Sequence, residues 1–211
     1  MRNIAEVTDM NSENDLILVD MDDRQIGFGE KLQVHQKGLL HRAFSVILFD
    51  GNRLLIQRRA EGKYHSAGLW ANTCCSHPRR GQTLSEAAHM RLYEECGIRD
   101  AEIREAGSFV YRAVFQNGLT EYEYDHVFVG TYNGAFEANP EEIAEMKYVP
   151  LTELKQDMLT HPEQYAVWFF TALKIAEGKI SEKRKELRQN ENVTETDFRK
   201  KWNRYDSLPV R

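Results

Sequence analysis

The residues best placed to do chemistry are Cys75-Ser76-His77. Along extended backbone, side chains two residues apart point to the same face, so a thiol and an imidazole would share one wall of a pocket. Thiols act as nucleophiles or acids, and imidazoles as bases or metal ligands. His35 and His41 lie upstream, and Glu121 and Glu123 alternate downstream. The pattern predicts a pocket in which a thiol lies beside a metal site.

Three histidines (His35, His41, His77) and two glutamates form a donor set suited to Mn²⁺ or Mg²⁺, or to Zn²⁺ with more strain. A cation beside His77 would lower the pKa of the Cys75 thiol and suit it to proton transfer. Taken singly, each histidine is more often an ordinary surface residue, so the hypothesis depends on the whole arrangement. Cys74 and Cys96 are expected to be buried packing.

Basic residues cluster in the same part of the chain: Lys31, Arg58, Arg59, Lys63, Arg79, Arg80 and Arg91. Arginine and lysine side chains in loops around a pocket suit a polyanionic small molecule such as a diphosphate. Because Arg58 and Arg59 straddle a strand end, only one of them can face the pocket. Singly, each is more often a solvated surface charge.

Composition limits the classes of partner. The 211-residue chain has a net charge of −5, and it combines −9 before residue 179 with +4 in residues 179–211. An acidic core disfavours nucleic acid, and no apolar run is long enough for a membrane helix. Three cysteines and an acidic, polar N-terminus indicate a reducing, cytoplasmic setting. The sequence carries no signal for oligomeric state.

Hydrophobic periodicity predicts alternating strands and helices. Strands are expected at 16–20, 43–49, 53–58, 108–115, 122–133 and 147–150, with an extended segment at 69–76. Helices are expected at 84–96, 152–159 and 162–177. Thr83 or Ser85 can cap the first helix, and Gly97 can end it. Turns are expected at Asp50-Gly51-Asn52 and Asn117-Gly118.

This order predicts an α+β or α/β sandwich with a mixed sheet. The chain is expected to divide into a domain at 1–178 and a charged extension at 179–211, because Gly178 should close the last helix. The extension is either helical, with Trp202 and Tyr205 docking back, or disordered.

Four motifs carry a resemblance to a known family: Leu-Leu-His-Arg-Ala-Phe-Ser at 39–45, Gln-Arg-Arg-Ala at 57–60, Gly-Leu-Trp-Ala-Asn-Thr-Cys-Cys-Ser-His-Pro at 68–78, and Tyr-Glu-Glu-Cys-Gly-Ile at 93–98. In order and spacing they strongly resemble the type I isopentenyl-diphosphate isomerases of the Nudix-fold superfamily. The resemblance covers residues 16–178. It implies a Nudix-like α/β/α sandwich, and an enzyme that interconverts isopentenyl and dimethylallyl diphosphate with divalent metals in isoprenoid biosynthesis.

The resemblance also implies residue roles. The catalytic residues would be Cys75, Glu123 and Tyr111. The metal ligands would be His35, His41, His77, Glu121 and Glu123, with Glu95 helping a second cation, Mg²⁺, to hold the diphosphate. Substrate would be bound by Lys31, Arg59, Lys63, Arg91 and Trp168. The helix pattern alone favours core packing for Trp168.

Two other functions compete with the isomerase. A Nudix hydrolase of a nucleoside diphosphate derivative would carry an Arg-Glu-x-x-Glu-Glu helix signature, but Arg91 replaces its first glutamate. A non-catalytic binding module would not need Cys75, His77 and Glu123. Ser76 stands where related proteins often have glycine, which should be tolerated.

Moving a double bond requires one proton to be added and another to be removed. The residues alone leave open which of Cys75 and Glu123 protonates the alkene. The hypothesis is that Glu123, with Tyr111, delivers the proton and that the Cys75 thiolate removes one. Trp168 would stabilise the carbocation by up to about 2 kcal/mol.

Overall fold

The computed structural model describes residues 15–63 and 65–190, with side chains described as far as residue 180. The expectations for residues 191–211, including the docking of Trp202 and Tyr205, lie outside the described residues. The division at residue 178 stays a prediction.

The strands of the described part are β1 (Leu16–Val19), β2 (Gln25–Gly29), β3 (His41–Asp50), β4 (Arg53–Arg59), β5 (Trp70–Ala71), β6 (Cys74–Ser76), β7 (Glu102–Val114), β8 (Thr120–Thr131) and β9 (Ile143–Pro150). The helices are α1 (Lys31–Lys37), α2 (Leu84–Cys96), α3 (Leu151–Thr160) and α4 (Val167–Asn190), with a 3₁₀ turn at Pro162–Gln164.

Strand β3 lies at the centre of a mixed sheet. It runs parallel to β8 from the pair His41–Glu123 to the pair Phe49–Thr131. Its other edge pairs antiparallel with β1, β6 and β4 in turn. β7 extends the sheet beyond β8, while β5 and β9 flank β4. The predicted mixed sheet is confirmed.

The two faces of this sheet carry separate cores. Phe44, Val46 and Leu48 of β3 pack with α2, whereas Ile47 and Phe49 pack with α3 and α4. The alternation follows from the two-residue period of a strand. Helices therefore cover both faces, which confirms the predicted α/β/α sandwich.

Helix α2 has the predicted bounds, and Thr83 rather than Ser85 caps it. The Thr83 hydroxyl accepts from the backbone N–H of Glu86, whose side chain accepts from the backbone N–H of Thr83. This reciprocal pair satisfies two donors at the helix start. Gly97 ends the helix in the left-handed region, at φ 69°, as expected.

Other elements differ from the sequence-based expectations. β2 and α1 were not predicted. The predicted helix at 162–177 is instead a 3₁₀ turn followed by α4, and Gly178 does not close it, because α4 continues to Asn190. An isolated glycine in a helix costs about 1 kcal/mol, which the buried face of α4 can offset. No helix among the described residues is long and apolar enough to cross a membrane.

Candidate active site

Three histidines converge beside the start of β3. His35 lies on α1 and His41 is the first residue of β3, while His77 directly follows β6. Gly38 makes the turn between α1 and β3 in the left-handed region at φ 59°, with Thr120 close to where a Cβ would lie. The centroids of the three rings are 4.9 to 5.8 Å apart.

Backbone carbonyls orient two of these rings. His35 Nδ1 lies 2.6 Å from the carbonyl oxygen of Lys31, and His41 Nδ1 lies 2.9 Å from that of Leu39. A carbonyl only accepts, so Nδ1 carries the proton in both rings and Nε2 presents its lone pair to the pocket. Metal-binding histidines typically have this second contact.

Strand β8 adds carboxylates on the same face as the histidines. Glu121, Glu123 and Asp125 alternate along β8, and Glu123 is paired with His41 across the sheet. Glu121 Oε1 lies 2.9 Å from His35 Nε2, and Glu123 Oε1 lies 2.8 Å from His77 Nε2. The predicted histidines and both glutamates thus lie in one cluster.

Burial keeps His41 and His77 in the form that can bind a metal. It lowers the pKa of His41 to about 4, and burial together with His41 lowers the pKa of His77. Burial opposes ionisation of Glu121, but the close contacts of its carboxyl with the His35 and His65 rings lower its pKa overall. Neutral imidazoles beside a carboxylate are suitable ligands for a divalent cation.

Four ligand atoms, from His35, His41, His77 and Glu121, lie within 4.8 Å of one another. Both oxygens of Glu121 are buried, and neither has a described partner with good hydrogen-bond geometry. Buried carboxylate oxygens normally have such partners. The cluster therefore fits a divalent metal ion, and Glu123 lies at its edge.

The Glu123 carboxyl is shared between the metal cluster and Tyr111. Tyr111 lies directly opposite Glu123 in the β7–β8 pair, and its hydroxyl donates to Glu123 Oε2 at 2.7 Å. Burial, followed by the charge of Glu121, raises the pKa of Glu123 well above its usual range. Burial also raises the pKa of Tyr111. The protein groups therefore favour a protonated Glu123.

Cys75 enters the pocket from β6, on the other side of β3 from Glu123. It is paired with Ser45, whose hydroxyl donates to Asp125 at 2.8 Å. Arg59 Nη1 lies 3.6 Å from the Cys75 sulfur. Cys74, by contrast, is buried against α2, and Cys96 is buried at the end of that helix, as expected.

The expected low pKa of the Cys75 thiol does not follow from the protein groups around it. Burial raises this pKa to about 12, although the charge of Arg59 acts in the opposite direction. The free energy needed to remove a thiolate from water is larger here than the free energy gained from its attraction to one guanidinium. The neutral thiol is therefore the form that the protein groups favour.

Trp168 lines the pocket at the start of α4. Its indole N–H donates to Asn72 Oδ1 at 3.1 Å, which fixes the ring. The ring packs beside Cys75 and Tyr111, and the Arg59 guanidinium lies 5.5 Å from its centroid. Trp168 is thus both a packing residue and a wall of the pocket.

The four predicted anion-binding residues, Lys31, Arg59, Lys63 and Arg91, all line this pocket. Arg58 instead lies 3.5 Å from Glu61 and from Glu145, as expected if only one residue of the pair faces inwards. Burial, followed by the charge of Lys63, lowers the pKa of Lys31. A cluster of cations repels itself, so the pocket suits an anion.

Glu95 lies on α2 at the same end of the pocket as Arg91. Arg91 Nη2 lies 2.6 Å from Glu95 Oε1, and the same nitrogen lies 3.1 Å from Glu142 Oε1. Burial raises the pKa of Glu95, while the charge of Arg91 opposes that shift. The predicted ligand of a second cation is thus paired with a predicted substrate-binding cation.

Several lining residues were missed by the sequence analysis. His65 Nε2 lies 2.5 Å from Glu121 Oε1, and its ring stacks on Phe115 with centroids 5.0 Å apart. Glu142 and Gln57 also line the pocket. His65 and Glu142 come from loops, where no periodicity marks a residue. Asp125, in contrast, could have been predicted, because it continues the alternation of Glu121 and Glu123 along β8.

The fold and site define a class of protein. Residues 39–169 match the NUDIX domain family. A Deinococcus radiodurans structure aligns with a TM-score of 0.57 at 18% identity, covering 69% of this chain and 89% of the other. The MutT protein from Methanosarcina mazei aligns with a TM-score of 0.52 at 18% identity, covering 68% and 95%. These structures show the Nudix fold alone.

Sequence relatives narrow the class. Isopentenyl-diphosphate Delta-isomerase 2 of Aromatoleum aromaticum is 51% identical over 76% of this chain and 85% of its own length. The isopentenyl-diphosphate Delta-isomerase of Serratia proteamaculans is 48% identical over 75% and 89%. The chain belongs to the isopentenyl-diphosphate isomerase family of NUDIX-domain proteins.

Proposed function

We propose that this chain interconverts isopentenyl diphosphate and dimethylallyl diphosphate by an acid–base shift of the double bond. The observation that carries the proposal is one pocket lined by Cys75, Glu123 with Tyr111, and four cations. A hydrolase function has less support. The hydrolase signature would present its carboxylates to a metal, whereas here Glu94 and Glu95 pair with Arg91.

The diphosphate group binds at Lys31, Arg59, Lys63 and Arg91, which directs the hydrocarbon towards Cys75 and Glu123. Cationic side chains recognise phosphate oxygens through charge-assisted hydrogen bonds. Fixing both ends of the substrate places its carbons between an acid and a base, which removes much of the entropic barrier.

Glu123 delivers the proton to the terminal alkene carbon. Burial and the charge of Glu121 raise the pKa of this carboxyl and favour its protonated form, and Tyr111 holds the orientation of the group. Proton transfer from a positioned acid contributes about 10²- to 10⁴-fold to the rate. A tertiary carbocation then forms inside the pocket.

Trp168 and Tyr111 stabilise this cation and exclude water. Their rings lie 6.2 Å apart and pack with Cys75. An electron-rich ring face in a dry site stabilises a cation by up to about 2 kcal/mol. Because water would trap the cation as an alcohol, the buried aromatic wall also protects the product.

Cys75 removes the second proton as a thiolate, with Arg59 as the protein group that favours this form. Because burial favours the neutral thiol, forming the thiolate is the energetically costly step of this mechanism. The proton passes from carbon to sulfur, and the new double bond forms from the released electron pair.

Divalent metal suits two places in this pocket. His35, His41, His77 and Glu121 would hold one ion, with Glu123 beside it, and Glu95 would help a second ion with the diphosphate. A bound metal supplies positive charge next to Glu123 and next to the phosphates. Mg²⁺ fits the phosphate position, and Mn²⁺, Mg²⁺ or Zn²⁺ fits the histidine cluster.

A product assay tests the proposal. The purified full chain is incubated with isopentenyl diphosphate, Mg²⁺ and Mn²⁺, and the products are followed by ³¹P and ¹H NMR. Dimethylallyl diphosphate with an intact diphosphate is the expected product. Released phosphate would support a hydrolase, and an unchanged substrate would support a binding module.

A further inference from the structure

Glu142 lies between two cations of the pocket, immediately before β9. Its carboxylate contacts Lys63 Nζ through Oε2, and Oε1 lies 3.1 Å from Arg91 Nη2. Burial alone would raise the pKa of Glu142, but hydrogen bonding to Lys63 and the charges of Lys63 and Arg91 lower it overall. Glu142 is therefore a carboxylate that bridges two anion-binding side chains.

Backbone hydrogen bonds hold Glu142 in this position. The Ala60 N–H donates to the Glu142 carbonyl at 3.0 Å, and the Glu142 N–H donates to the Asn139 carbonyl at 3.0 Å. The Asn139 N–H in turn donates to the Glu95 carbonyl at 2.8 Å. The segment thus connects the loop that carries Lys63 to the helix that carries Arg91.

Carboxylates of the protein already engage both cations. Arg91 contacts Glu94 at 2.7 Å, Glu95 at 2.6 Å and Glu142 at 3.1 Å. A diphosphate needs the same guanidinium and ammonium donors, so it must compete with Glu142 for them. Arg59 independently indicates an anion site. Its side chain lines the pocket, and its buried Nε has no described hydrogen-bond partner.

We infer that Glu142 competes with the diphosphate for Lys63 and Arg91, and that Mg²⁺ relieves this competition by an exchange of ion pairs. When the diphosphate arrives with Mg²⁺, its phosphates take Lys63 and Arg91. Glu95 and Glu142 are then left beside the Mg²⁺. Mg²⁺ is usually bound by one or two carboxylates together with substrate phosphates. The inference rests on the proposed function, and it makes Glu142 a residue that couples diphosphate binding to Mg²⁺.

The test compares Glu142→Gln with Glu141→Gln, which removes the same charge from the adjacent, exposed position. Each full chain is first charged with one equivalent of Zn²⁺ at the histidine cluster. Inorganic diphosphate is then titrated by calorimetry, without Mg²⁺ and with an excess of Mg²⁺. Circular dichroism and the thermal midpoint establish that each variant is folded.

In Glu142→Gln, diphosphate without Mg²⁺ should bind about fivefold more tightly than in the wild type, because a partly buried ion pair no longer competes. The gain in affinity from Mg²⁺ should shrink by at least the same factor. Glu141→Gln should behave as the wild type does. Glu142→Asp, which keeps the charge, should retain most of the Mg²⁺ dependence.

Two outcomes would overturn the inference. Equal Mg²⁺ dependence in Glu142→Gln and the wild type would show that Glu142 does not couple the two ligands. Weaker metal-free binding in Glu142→Gln would show that Glu142 only holds Lys63 and Arg91 in place. A wild type that binds diphosphate with Mg²⁺ but forms no dimethylallyl diphosphate would instead count against the proposed function, so the two failures are distinguishable.

Discussion

The Tyr111 hydroxyl donates a 2.7 Å hydrogen bond to Glu123 Oε2, and the two residues are direct partners across the β7–β8 pair. The other oxygen of Glu123 lies 2.8 Å from His77 Nε2. One carboxyl therefore joins the histidine cluster to Tyr111. This position is consistent with the proposal that Glu123 is an acid beside a metal site.

Replacing Tyr111 by phenylalanine should lower kcat about 10- to 100-fold, because Glu123 loses the hydrogen bond that orients it. The ring that walls the pocket remains, so KM should change little. Tyr122→Phe is the matched control, since the Tyr122 hydroxyl contacts Met21 on the surface. Steady-state kinetics separate kcat from KM. Equal kcat in Tyr111→Phe and the wild type would remove Tyr111 from the mechanism.

Replacing Cys75 by alanine should lower kcat about 10²- to 10⁴-fold, because one of the two proton-transfer groups is lost. Metal content, measured by elemental analysis, should not change, since Cys75 is outside the four-residue ligand group. Cys74→Ala, on the opposite face of β6, should remain active. Wild-type turnover by Cys75→Ala would contradict the role of the thiol.

Two substitutions of Trp168 separate ring electrons from packing. Both Trp168→Phe and Trp168→Leu lose the hydrogen bond to Asn72, but only the phenylalanine variant keeps a π-face. Trp168→Leu should lower kcat about thirtyfold, equivalent to about 2 kcal/mol of cation stabilisation. Trp168→Phe should lose less. If kinetics show the same loss in both variants, Trp168 acts through packing alone.

Binding of metal at the histidine cluster should stabilise the fold. With free metal at 100 times Kd, the gain is about 2.7 kcal/mol, or a rise in thermal midpoint of about 5 to 10 °C. Calorimetry with Mn²⁺ or Zn²⁺ after chelation measures this increment. Glu121→Gln should abolish it, whereas Glu102→Gln, exposed on β7, should keep it. If metal still raises the thermal midpoint of Glu121→Gln, the metal binds elsewhere.

The sequence predicted the elements with strong periodicity and clear end signals. The bounds of α2 were correct because Thr83, Glu86 and Gly97 mark its ends. β2 was missed because glycines at Gly27 and Gly29 hide its pattern. α1 was missed because it has only seven residues and begins after Glu30, which is not among the preferred capping types.

The site was predicted where spacing along one strand carried the information. Glu121 and Glu123 alternate on β8, and the structure brings them to the histidines as expected. His65 and Glu142 could not be found in this way, because tertiary hydrogen bonds of loops place them. A lowered pKa of Cys75 was predicted for a cation bound beside His77, and it stays a prediction. The protein groups alone raise this pKa, because burial opposes the thiolate.

The most direct test of proton transfer in this pocket is turnover in D₂O. The full chain is exchanged into D₂O with Mg²⁺ and Mn²⁺, isopentenyl diphosphate is added, and ¹H and ²H NMR follow the products. We expect dimethylallyl diphosphate with deuterium in the newly formed methyl group, and no release of phosphate. Dimethylallyl diphosphate without deuterium, or phosphate in place of dimethylallyl diphosphate, would contradict it.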